Sequence, residues 1–456
     1  MAGDVIRKGF EGIYLEEYLN KLNKRLSDHF ETVIINGYIN YATRYRFSNS
    51  NLDIAKTVSK DSVRIFIAKN DKYLMHDISN VSTKEVDEIV SNIIKLYRVS
   101  PPTREIYESP NVTKTYYDII PNTFSENIFN EDLSMDLIEN ILTFEGRNVK
   151  RLSGILSIEA MKHFIVTSYG VHGEGKNSHF LVRVRGFKDK ELSYTDVKVG
   201  IDLRNSDVET LLNNIDYILG IVDYVSTVDE GKYNVVFSPQ SYANLLNYLG
   251  YMLSGYLYIR NMSSLSGLLG DEIASKNVHI YDNPRMEGSL MATCFDEEGV
   301  ETRKTDYFID GIFNDLALNT LIGRKLDRES NGHAGIISPY PYPLIFEVDS
   351  PIGSEPDDIF KELGDGIYIS NVWYTRFANM RLGTMSTLQR DIGLYIEGGK
   401  VKGGFMGARL SLTIRDLISK VLFATKPREW IKPWDVWMPS KVGFVAIEGV
   451  EVSTGF

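Results

Sequence analysis

The stretch GKYNVVFSPQSYANLLNYLGYMLSG, residues 231–255, decides the fold. A strand ends at Ser238, whose side chain suits the N-cap of a helix, and Pro239 suits the first turn, where a missing N–H costs nothing. Beyond this point apolar residues recur at helical spacing, which predicts a buried helix that stops at Ser254-Gly255, with Gly255 as a left-handed C-cap. The apolar face consists of Tyr242, Leu245, Leu246, Leu249, Met252 and Leu253.

Further phrases follow this helix in a fixed order. They are LLGDEIAS, a DNP turn, FDEEGV, TRKTDYFIDGIF, SNGHAG at 330–335 and SKVGFVAIEGVEV near the end. In this order and spacing the second half of the chain resembles the second domain of the TldD/PmbA family, once called modulators of DNA gyrase. The first half resembles that family more loosely. The family pairs a zinc metalloprotease subunit with a similar subunit that lacks the metal site.

The resemblance also indicates that the zinc-binding residues of the family are absent from this chain. In the catalytic subunits a His-Glu-x-x-x-His motif follows the Leu-Leu pair of the helix, and a late Cys before a Gly-Lys-x-Gly turn completes the zinc site. Here Asn247 and Met252 stand at the His positions, Tyr248 at the Glu position and Pro439 at the Cys position. A catalytic zinc needs three imidazole, thiolate or carboxylate ligands, which these residues do not supply. The resemblance therefore implies the non-catalytic, PmbA/TldE-like subunit, with no cofactor of its own and with zinc in a catalytic partner.

Length and composition limit the remaining possibilities. With 456 residues, two domains are expected, because one core rarely grows beyond about 250–300 residues. A net charge of -11 argues against a broad phosphate-binding face and so against a nucleic-acid partner. A single cysteine excludes an internal disulfide framework and suits a reducing compartment. The opening MAGDVIRKGFEG lacks the apolar core of a signal peptide, and no apolar stretch of about 20 residues suits a bilayer, so we expect a cytoplasmic protein with no membrane partner.

The pattern along the chain predicts an α+β fold of two domains. The first, residues 1–228, should contain an antiparallel sheet with helices, and the second, residues 229–456, should be β-rich around the buried helix. The boundary lies near Val228, where Asp-Glu-Gly breaks the pattern. Ser82 and Glu85 suggest a capping box for a helix of the first domain. Its amphipathic first helix buries Leu15, Leu19, Leu22 and Leu26, and its predicted strands are 32–36, 38–47, 52–59, 62–69 and 72–76.

Three segments are candidates for contact with a peptide or a partner, and one of them is the extended, edge-like stretch Pro339-Tyr340-Pro341-Tyr342-Pro343. The SNGHAG turn contains Asn331, Gly332 and His333, and the family places this turn close to its central cavity; the alternative is an imidazole that caps its own turn. The segment PREWIKPWDVWMP, 427–439, predicts an irregular aromatic arm, because its proline argues against a regular helix. This arm either covers the core or anchors a subunit contact through large aromatics such as Trp434.

The acidic run and the cysteine each fit two interpretations. Asp296, Glu297 and Glu298 before a glycine suit either a hard cation, which wants several oxygens on one short loop, or a solvated hairpin tip, which is the commoner case. Cys294 suits a buried small hydrophobe better than a nucleophile.

Neither the glycine-rich phrase nor the histidines predict a functional site. YGVHGEG, 169–175, lies between two predicted strands with no helix after it, which indicates a hairpin turn rather than an anion cradle. His163, His172 and His179 occupy adjoining predicted strands, but their spacing matches no standard set of metal ligands.

Two classes of function remain. In the first, the chain is the non-catalytic subunit of a TldD/TldE-like metalloprotease that degrades or matures unfolded peptides. Its strand edges would hold the peptide extended, while the TldD-like partner's metal activates water. In the second, the chain acts alone as a homodimeric, non-enzymatic protein that binds peptides or proteins. An independent hydrolase with unrecognised catalytic groups is a third option.

Overall fold

The computed structural model describes residues 10–103, 107–117, 120–190, 192–202, 204–427 and 429–455. Residues 1–9 of the stretch considered for a signal peptide lie outside these ranges. The chain is mixed α+β, as predicted. The helices of the described ranges are α1 (Ile13–Ser27), α2 (Val86–Val99), α3 (Glu131–Leu142), α4 (Asn205–Gly220), α5 (Pro239–Met252), α6 (Gly255–Ile259), α7 (Thr320–Lys325), α8 (Pro356–Leu363) and α9 (Ile414–Ser419).

The first sheet takes its strands from residues 32–200 and has the order β3-β2-β1-β5-β6-β4, with β7 also on β6. All pairs are antiparallel except β4 with β6. The leucine face of α1 packs on this sheet and is fully buried. The strands are β1 (Thr32–Ser48), β2 (Asn51–Lys69), β3 (Lys72–Ser79), β4 (Thr115–Tyr116), β5 (Arg151–Thr167), β6 (His172–Phe187) and β7 (Ser193–Gly200).

Two details of the first half were predicted wrongly. The predicted breaks in the first two strands do not occur, since Gly37 continues β1. A Cβ on Gly37 would lie 2.6 Å from Leu19 Cδ1, so this glycine makes room for α1 rather than ending the strand. The capping box is also absent. Glu85 is the N-cap of α2 without a side-chain hydrogen bond, and the Ser82 N–H donates to Asp61 instead.

The second half contributes a six-stranded sheet of order β12-β11-β10-β13-β22-β21 and a ten-stranded sheet of order β15-β16-β19-β23-β9-β14-β17-β18-β8, with β20 on β23. The smaller sheet contains β10 (Val278–Asp282), β11 (Thr305–Ile309), β12 (Ile312–Phe313), β13 (Leu344–Val348), β21 (Trp430–Ile431) and β22 (Ser440–Lys441). The larger contains β8 (Val225–Thr227), β9 (Gly231–Phe237), β14 (Gly366–Ile369), β15 (Val372–Asn379), β16 (Thr384–Gln389), β17 (Gly393–Glu397), β18 (Lys400–Met406), β19 (Ala408–Thr413), β20 (Val421–Ala424) and β23 (Val445–Thr454).

Helix α5 lies in the core that these two sheets share, which confirms the predicted buried helix. Its end was predicted wrongly. The helix stops at Met252, and Gly255 is not a left-handed cap but the first residue of α6. A Cβ at Gly255 would lie 2.8 Å from Leu318 Cδ2 and 2.9 Å from the carbonyl oxygen of Ala317, so glycine is needed there for close packing.

The two halves of the chain share part of a core. The cluster under the first sheet also contains Phe360 and Leu363 of α8 and Tyr368 of β14 from the second half. Strand β8, which precedes the predicted boundary, pairs with β18 in the ten-stranded sheet, whereas every other strand of the described ranges lies in a sheet of its own half. The domain boundary near Val228 stays a prediction.

Candidate functional site

Helix α5 begins where the sequence predicts. The Ser238 side chain accepts a hydrogen bond from the Ser241 N–H at 3.2 Å, and Pro239 occupies the first turn. This cap fixes the rotation of the helix, so that its apolar face enters the core while Asn247 and Gly250 face the other way.

The side of α5 that carries Asn247 borders a cavity of about 430 Å³. Its other walls are the segment 338–344 and the end of the aromatic arm. No His, Cys, Asp or Glu of the described ranges lines it. The wall is largely aromatic and proline-rich, which is typical of a pocket for an apolar group with a few polar atoms to orient it. The aromatic and proline members are Tyr251, Tyr256, Pro339, Tyr340, Pro341, Tyr342, Trp437 and Pro439.

Asn247 binds the helix to the arm through its side-chain amide. Its Nδ2 donates to the carbonyl oxygens of Ala243 and Met438, both at 3.0 Å, and lies 3.3 Å from Ser440 Oγ. Its Oδ1 accepts from the Met438 N–H at 3.2 Å. These bonds hold Pro439 against the helix. Both polar atoms of the amide therefore serve the structure.

Tyr248 and Met252 point away from this cavity. The Tyr248 hydroxyl donates to the Thr375 carbonyl oxygen at 2.5 Å, and its ring lies edge-on to Phe377 with centroids 5.2 Å apart. Burial raises the pKa of the Tyr248 hydroxyl, which keeps it protonated. Met252 is fully buried, and its sulfur accepts from the Ser264 N–H at 3.4 Å.

A catalytic zinc does not fit these positions. Of the four residues aligned with the metal site, the structure brings Asn247 and Pro439 to one cavity and leaves Tyr248 and Met252 elsewhere. An amide that is already hydrogen-bonded, a phenol, a thioether and a proline are not the nitrogen, thiolate or carboxylate donors that zinc requires.

The SNGHAG turn is buried and fully bonded. Asn331 donates to the Leu316 carbonyl oxygen at 2.7 Å and accepts from the Leu318 N–H at 2.8 Å. His333 is 2% exposed, and its Nε2 lies 2.8 Å from the Asp282 carboxylate. This burial favours the interpretation of a histidine that stabilises its own turn, and it leaves little of His333 for a peptide to contact.

Gly332 has a structural reason of its own. Its φ is 77°, and a Cβ there would lie 2.4 Å from the Glu301 carbonyl oxygen. Two requirements therefore select glycine, namely the left-handed backbone and the close approach of the neighbouring strand connection.

The acidic run is not a solvated tip, and that prediction was wrong. Asp296 is 2% exposed and accepts from the N–H groups of Glu298, Val300 and Ala334, each within 3.0 Å. Burial, and then the charge of Glu298, raise the pKa of Asp296 well above its usual range. The predicted exposure failed because the run is covered by distant segments, of which Ala334 is one, while the local N–H groups of Glu298 and Val300 compensate for part of the burial of Asp296.

The two glutamates of the acidic run form hydrogen bonds that connect the two halves of the chain. Glu297 receives two hydrogen bonds from Arg64 of β2, at 2.8 and 3.0 Å. Glu298 accepts from the backbone and hydroxyl of Thr320 at the start of α7, and from Tyr107 at 3.0 Å. Because N–H and O–H donors already occupy these oxygens, the geometry favours a structural role over a cation site.

The remaining sequence candidates are separate from one another. Cys294 is buried, as predicted, and the glycine-rich phrase connects β5 to β6 as a hairpin. His163 lies 2.8 Å from Asn36 Oδ1, His179 faces Glu159 at 3.7 Å, and His172 is exposed. Burial lowers the pKa of His163 to about 3 and that of His179 to about 4. The three histidines form no metal group in the described part of the chain.

One group of metal-ligand type lies on the surface instead. Ligand atoms of His279, Asp310 and Asp349 approach within 4.8 Å of one another. Both carboxylates are exposed, and His279 Nε2 is 2.6 Å from Asp349. His279 is already hydrogen-bonded to a carboxylate, and exposed contacts of this kind are ordinary surface features that contribute little to stability.

The arm is irregular, as its proline predicts. Within its described residues, 427 and 429–439, Trp430 and Ile431 alone form a strand; Trp430 is buried, and Trp437 is largely exposed at the cavity. Trp434 is 42% exposed, and its ring lies beside Trp373 of β15. A subunit contact through Trp434 stays a prediction.

The sequence analysis missed the surroundings of Trp434. The guanidinium carbon of Arg390 lies 4.8 Å from the Trp434 ring centre and 5.1 Å from that of Trp373. Asp435 accepts a hydrogen bond from Asn244 of α5 at 2.5 Å, which joins this group to the helix. The run Trp-Tyr-Thr-Arg-Phe at 373–377 shows two adjacent aromatic residues, but Arg390 and Trp434 lie outside it, so no local signal identifies the group.

Comparisons with known proteins agree with this architecture. Residues 230–454 match the family model described as the PmbA/TldA metallopeptidase C-terminal domain. The chain is 28% identical over 171 residues to the metalloprotease PmbA of Escherichia coli O157:H7, a match that covers 38% of this chain and 36% of that protein. It is 21% identical over 407 residues to a metalloprotease of Methanocaldococcus jannaschii, covering 82% and 83% of the two chains.

A solved structure shows the same fold. TldE from Thermococcus kodakarensis superimposes with a TM-score of 0.78 at 18% identity, and the match covers 96% of this chain and all of that one. In the described ranges no helix is long and apolar enough to cross a membrane.

Proposed function

We propose, on the premise that residues 230–454 belong to the PmbA/TldD metallopeptidase family, that this chain is the non-catalytic subunit of a heteromeric, TldD/TldE-like zinc metallopeptidase. In this proposal a catalytic relative holds the zinc, and the two subunits together degrade or mature unfolded peptides.

One observation carries the proposal. The cavity beside α5 lies where the resemblance places a metal site, and its wall contains no residue of the usual zinc-ligand types in the described ranges. Asn247 joins the helix to the turn at Met438–Ser440 by hydrogen bonds, a connection that a shared metal ion would otherwise provide.

Among the residues that the structure describes, none that lines the cavity is a general base. The hydroxyl of Tyr248 donates to a backbone carbonyl, and its raised pKa keeps the proton on it near neutral pH. The amide of Asn247 has no basic atom. Activation of water is therefore assigned to the partner subunit, where a metal ion lowers the pKa of the attacking water.

What this chain contributes is a place for the peptide. The aromatic wall suits an apolar side chain, and a cavity of about 430 Å³ exceeds the volume of any single side chain, so it admits part of the backbone as well. The proposal includes a cytoplasmic location without nucleic-acid or membrane partners, which the single cysteine and the net charge of -11 support.

The test combines this chain with a relative that carries the His-Glu-x-x-x-His motif and measures hydrolysis of an unfolded fluorogenic peptide. We expect no activity for this chain alone and more activity in the mixture than for the relative alone, together with a mixed complex on size-exclusion chromatography. Hydrolysis by the isolated chain would overturn the proposal. A stable homodimer that binds peptide and ignores the relative would favour the stand-alone binding protein.

Gly250 provides a matched pair of variants for the same assay. A Cβ at Gly250 meets only Leu344 Cδ1, at 3.7 Å, so Gly250→Ala fits without a clash and should leave activity of the mixture intact. Gly250→Trp places a large ring in the cavity and should reduce peptide hydrolysis while the complex still forms. Equal activity of both variants would show that the cavity does not take part.

A further inference from the structure

A corner of two indole rings and one guanidinium includes Trp434 of the arm, whose end lines the cavity, and is not used by the function proposed above. Trp373 of β15 and Trp434 of the arm are tilted at 51° with centroids 6.4 Å apart. The Arg390 guanidinium carbon lies within about 5 Å of both ring centres, at 5.1 and 4.8 Å. Indole faces attract a cation in this position and hold it in a fixed orientation.

Two hydrogen-bond donors of this corner are buried and have no acceptor. They are Nε of Arg390 and Nε1 of Trp373. Buried donors are paired in the great majority of cases, and an exception is often explained by a bound ion or ligand. Both groups can only donate, so a ligand that satisfies them must be an acceptor.

The charges around the corner favour an anionic acceptor. Arg183 of β6 lies close by and donates to the Lys432 carbonyl oxygen at 3.0 Å. Burial, and then the positive charge of Arg390, lower the pKa of Arg183 to about 10. The Asp435 carboxylate also approaches, but Asn244 already donates to it. Asp391 also acts on Arg390, but Arg185 pairs with Asp391 at 2.8 Å, which leaves the Asp435 carboxylate facing the guanidinium groups of Arg183 and Arg390.

The backbone at the corner is strained. Tyr374 has a φ of 51°, an unusual value for a bulky side chain, and it lies at a register shift between β15 and β16. Its ring is half-exposed and lies 4.6 Å from that of Trp373. Strained residues of this kind cluster at active sites, ligand clamps and switch regions.

We propose that this corner binds a carboxylate, namely the C-terminal carboxylate of the peptide that occupies the neighbouring cavity. The inference rests on the proposed peptide-binding function and adds the end of the peptide that is recognised. Arg390 supplies the charge, Trp373 supplies an N–H, and the two indoles orient the guanidinium.

The spacing fits a short extended segment. Trp434 contacts Arg390 and Trp437 lines the cavity, so the two places are separated along the arm by three residues, which span at most about 11 Å. An apolar side chain in the cavity would therefore lie about three residues from the carboxylate. The binding of a polyanion such as single-stranded nucleic acid fits less well, because Asp435 would repel its neighbouring phosphates.

The test compares two versions of one labelled hexapeptide, with an aromatic residue three positions from its end, one with a free carboxylate and one amidated. With the full chain, fluorescence anisotropy should show that the free acid binds about 10-fold or more tightly than the amide. In Arg390→Gln the two peptides should bind alike, whereas Arg390→Lys should restore part of the preference. Arg151→Gln is the matched control. Arg151 also stacks on an aromatic ring, that of Phe187, but it lies on β5 of the first sheet, whereas Arg390 follows β16 of the ten-stranded sheet.

Several outcomes would overturn the inference. If the wild-type chain binds acid and amide equally, the carboxylate site is refuted while peptide binding stands. If Arg390→Gln weakens both peptides equally, Arg390 only supports the arm. Binding of a labelled oligothymidine that is lost in Arg390→Gln would identify a nucleic-acid site instead. If neither peptide binds, the proposed peptide-holding function fails together with this site.

Discussion

Replacement of Asn247 by alanine tests the connection between α5 and the arm. The substitution removes both hydrogen bonds to the backbone of Met438, at 3.0 and 3.2 Å, and a longer contact to Ser440. The bond to Ala243 lies within the helix and does not hold the arm. Two backbone hydrogen bonds contribute about 1 kcal/mol each, so local opening of the arm should become easier by about 2 kcal/mol.

This change has a direct readout in hydrogen exchange. A local opening free energy lower by about 2 kcal/mol corresponds to exchange of the Met438 amide about 30-fold faster. Mass spectrometry of overlapping peptides that contain Met438 measures this exchange rate. Asn379→Ala is the matched control, since that exposed side chain accepts one hydrogen bond from Leu382 and does not contact the arm. Exchange at Met438 that changes by less than about twofold would refute the idea that Asn247 replaces a metal as the connection.

Three further predictions concern the buried charges. Arg64→Ala leaves the Glu297 carboxylate without its partner and should lower the free energy of unfolding by about 3 kcal/mol, less when Glu297→Gln is added; an unchanged denaturant midpoint would contradict this. Glu298→Ala leaves the N–H and hydroxyl of Thr320 unpaired and should cost about 2–4 kcal/mol in the same assay, whereas a loss below about 0.5 kcal/mol would mean that water replaces the carboxylate. Folding lowers the pKa of His163 from 6.5 to about 3, so the unfolded chain binds a proton at a higher pH than the folded chain does, and the free energy of unfolding falls as the pH drops below about 6.5. Between about pH 7.5 and pH 5, His163→Gln should therefore lose about 2 kcal/mol less free energy of unfolding than the wild-type chain. Equal losses in the two chains would exclude this histidine as the cause.

Local sequence signals predicted the start of α5 and the general fold. Ser238 and Pro239 act on their own helix, so their role needs no knowledge of the rest of the molecule. The end of the helix could not be predicted from local signals. As a glycine, Gly255 suggests a helix C-cap. Glycine is needed there, however, because Leu318, more than sixty residues away in the sequence, packs closely against it.

The same distinction explains the acidic run. Three consecutive acidic residues beside a glycine suggest solvent, because acidic side chains are rarely buried without partners. In the structure the donors to the two glutamates come from Arg64, Tyr107 and Thr320, which are distant in sequence. Only tertiary structure identifies such partners.

The residue types at the candidate site were predictable through the resemblance, but their arrangement was not. The alignment placed four substituted positions together, whereas the structure turns Tyr248 and Met252 away from the cavity of Asn247 and Pro439. The corner around Arg390 combines residues from β15, the arm and the end of β16. Their side chains belong to separate segments, so no spacing rule joins them.

The zinc content of the purified chain tests the central claim most directly. Elemental analysis after dialysis against a weak chelator should find well below one zinc ion per chain, and His279→Asn should remove any zinc held by the exposed group at Asp310 and Asp349. Addition of the catalytic relative should bring one zinc ion per mixed complex. One tightly held zinc ion per isolated chain, retained in His279→Asn and lost in Asn247→Ala, would contradict the account.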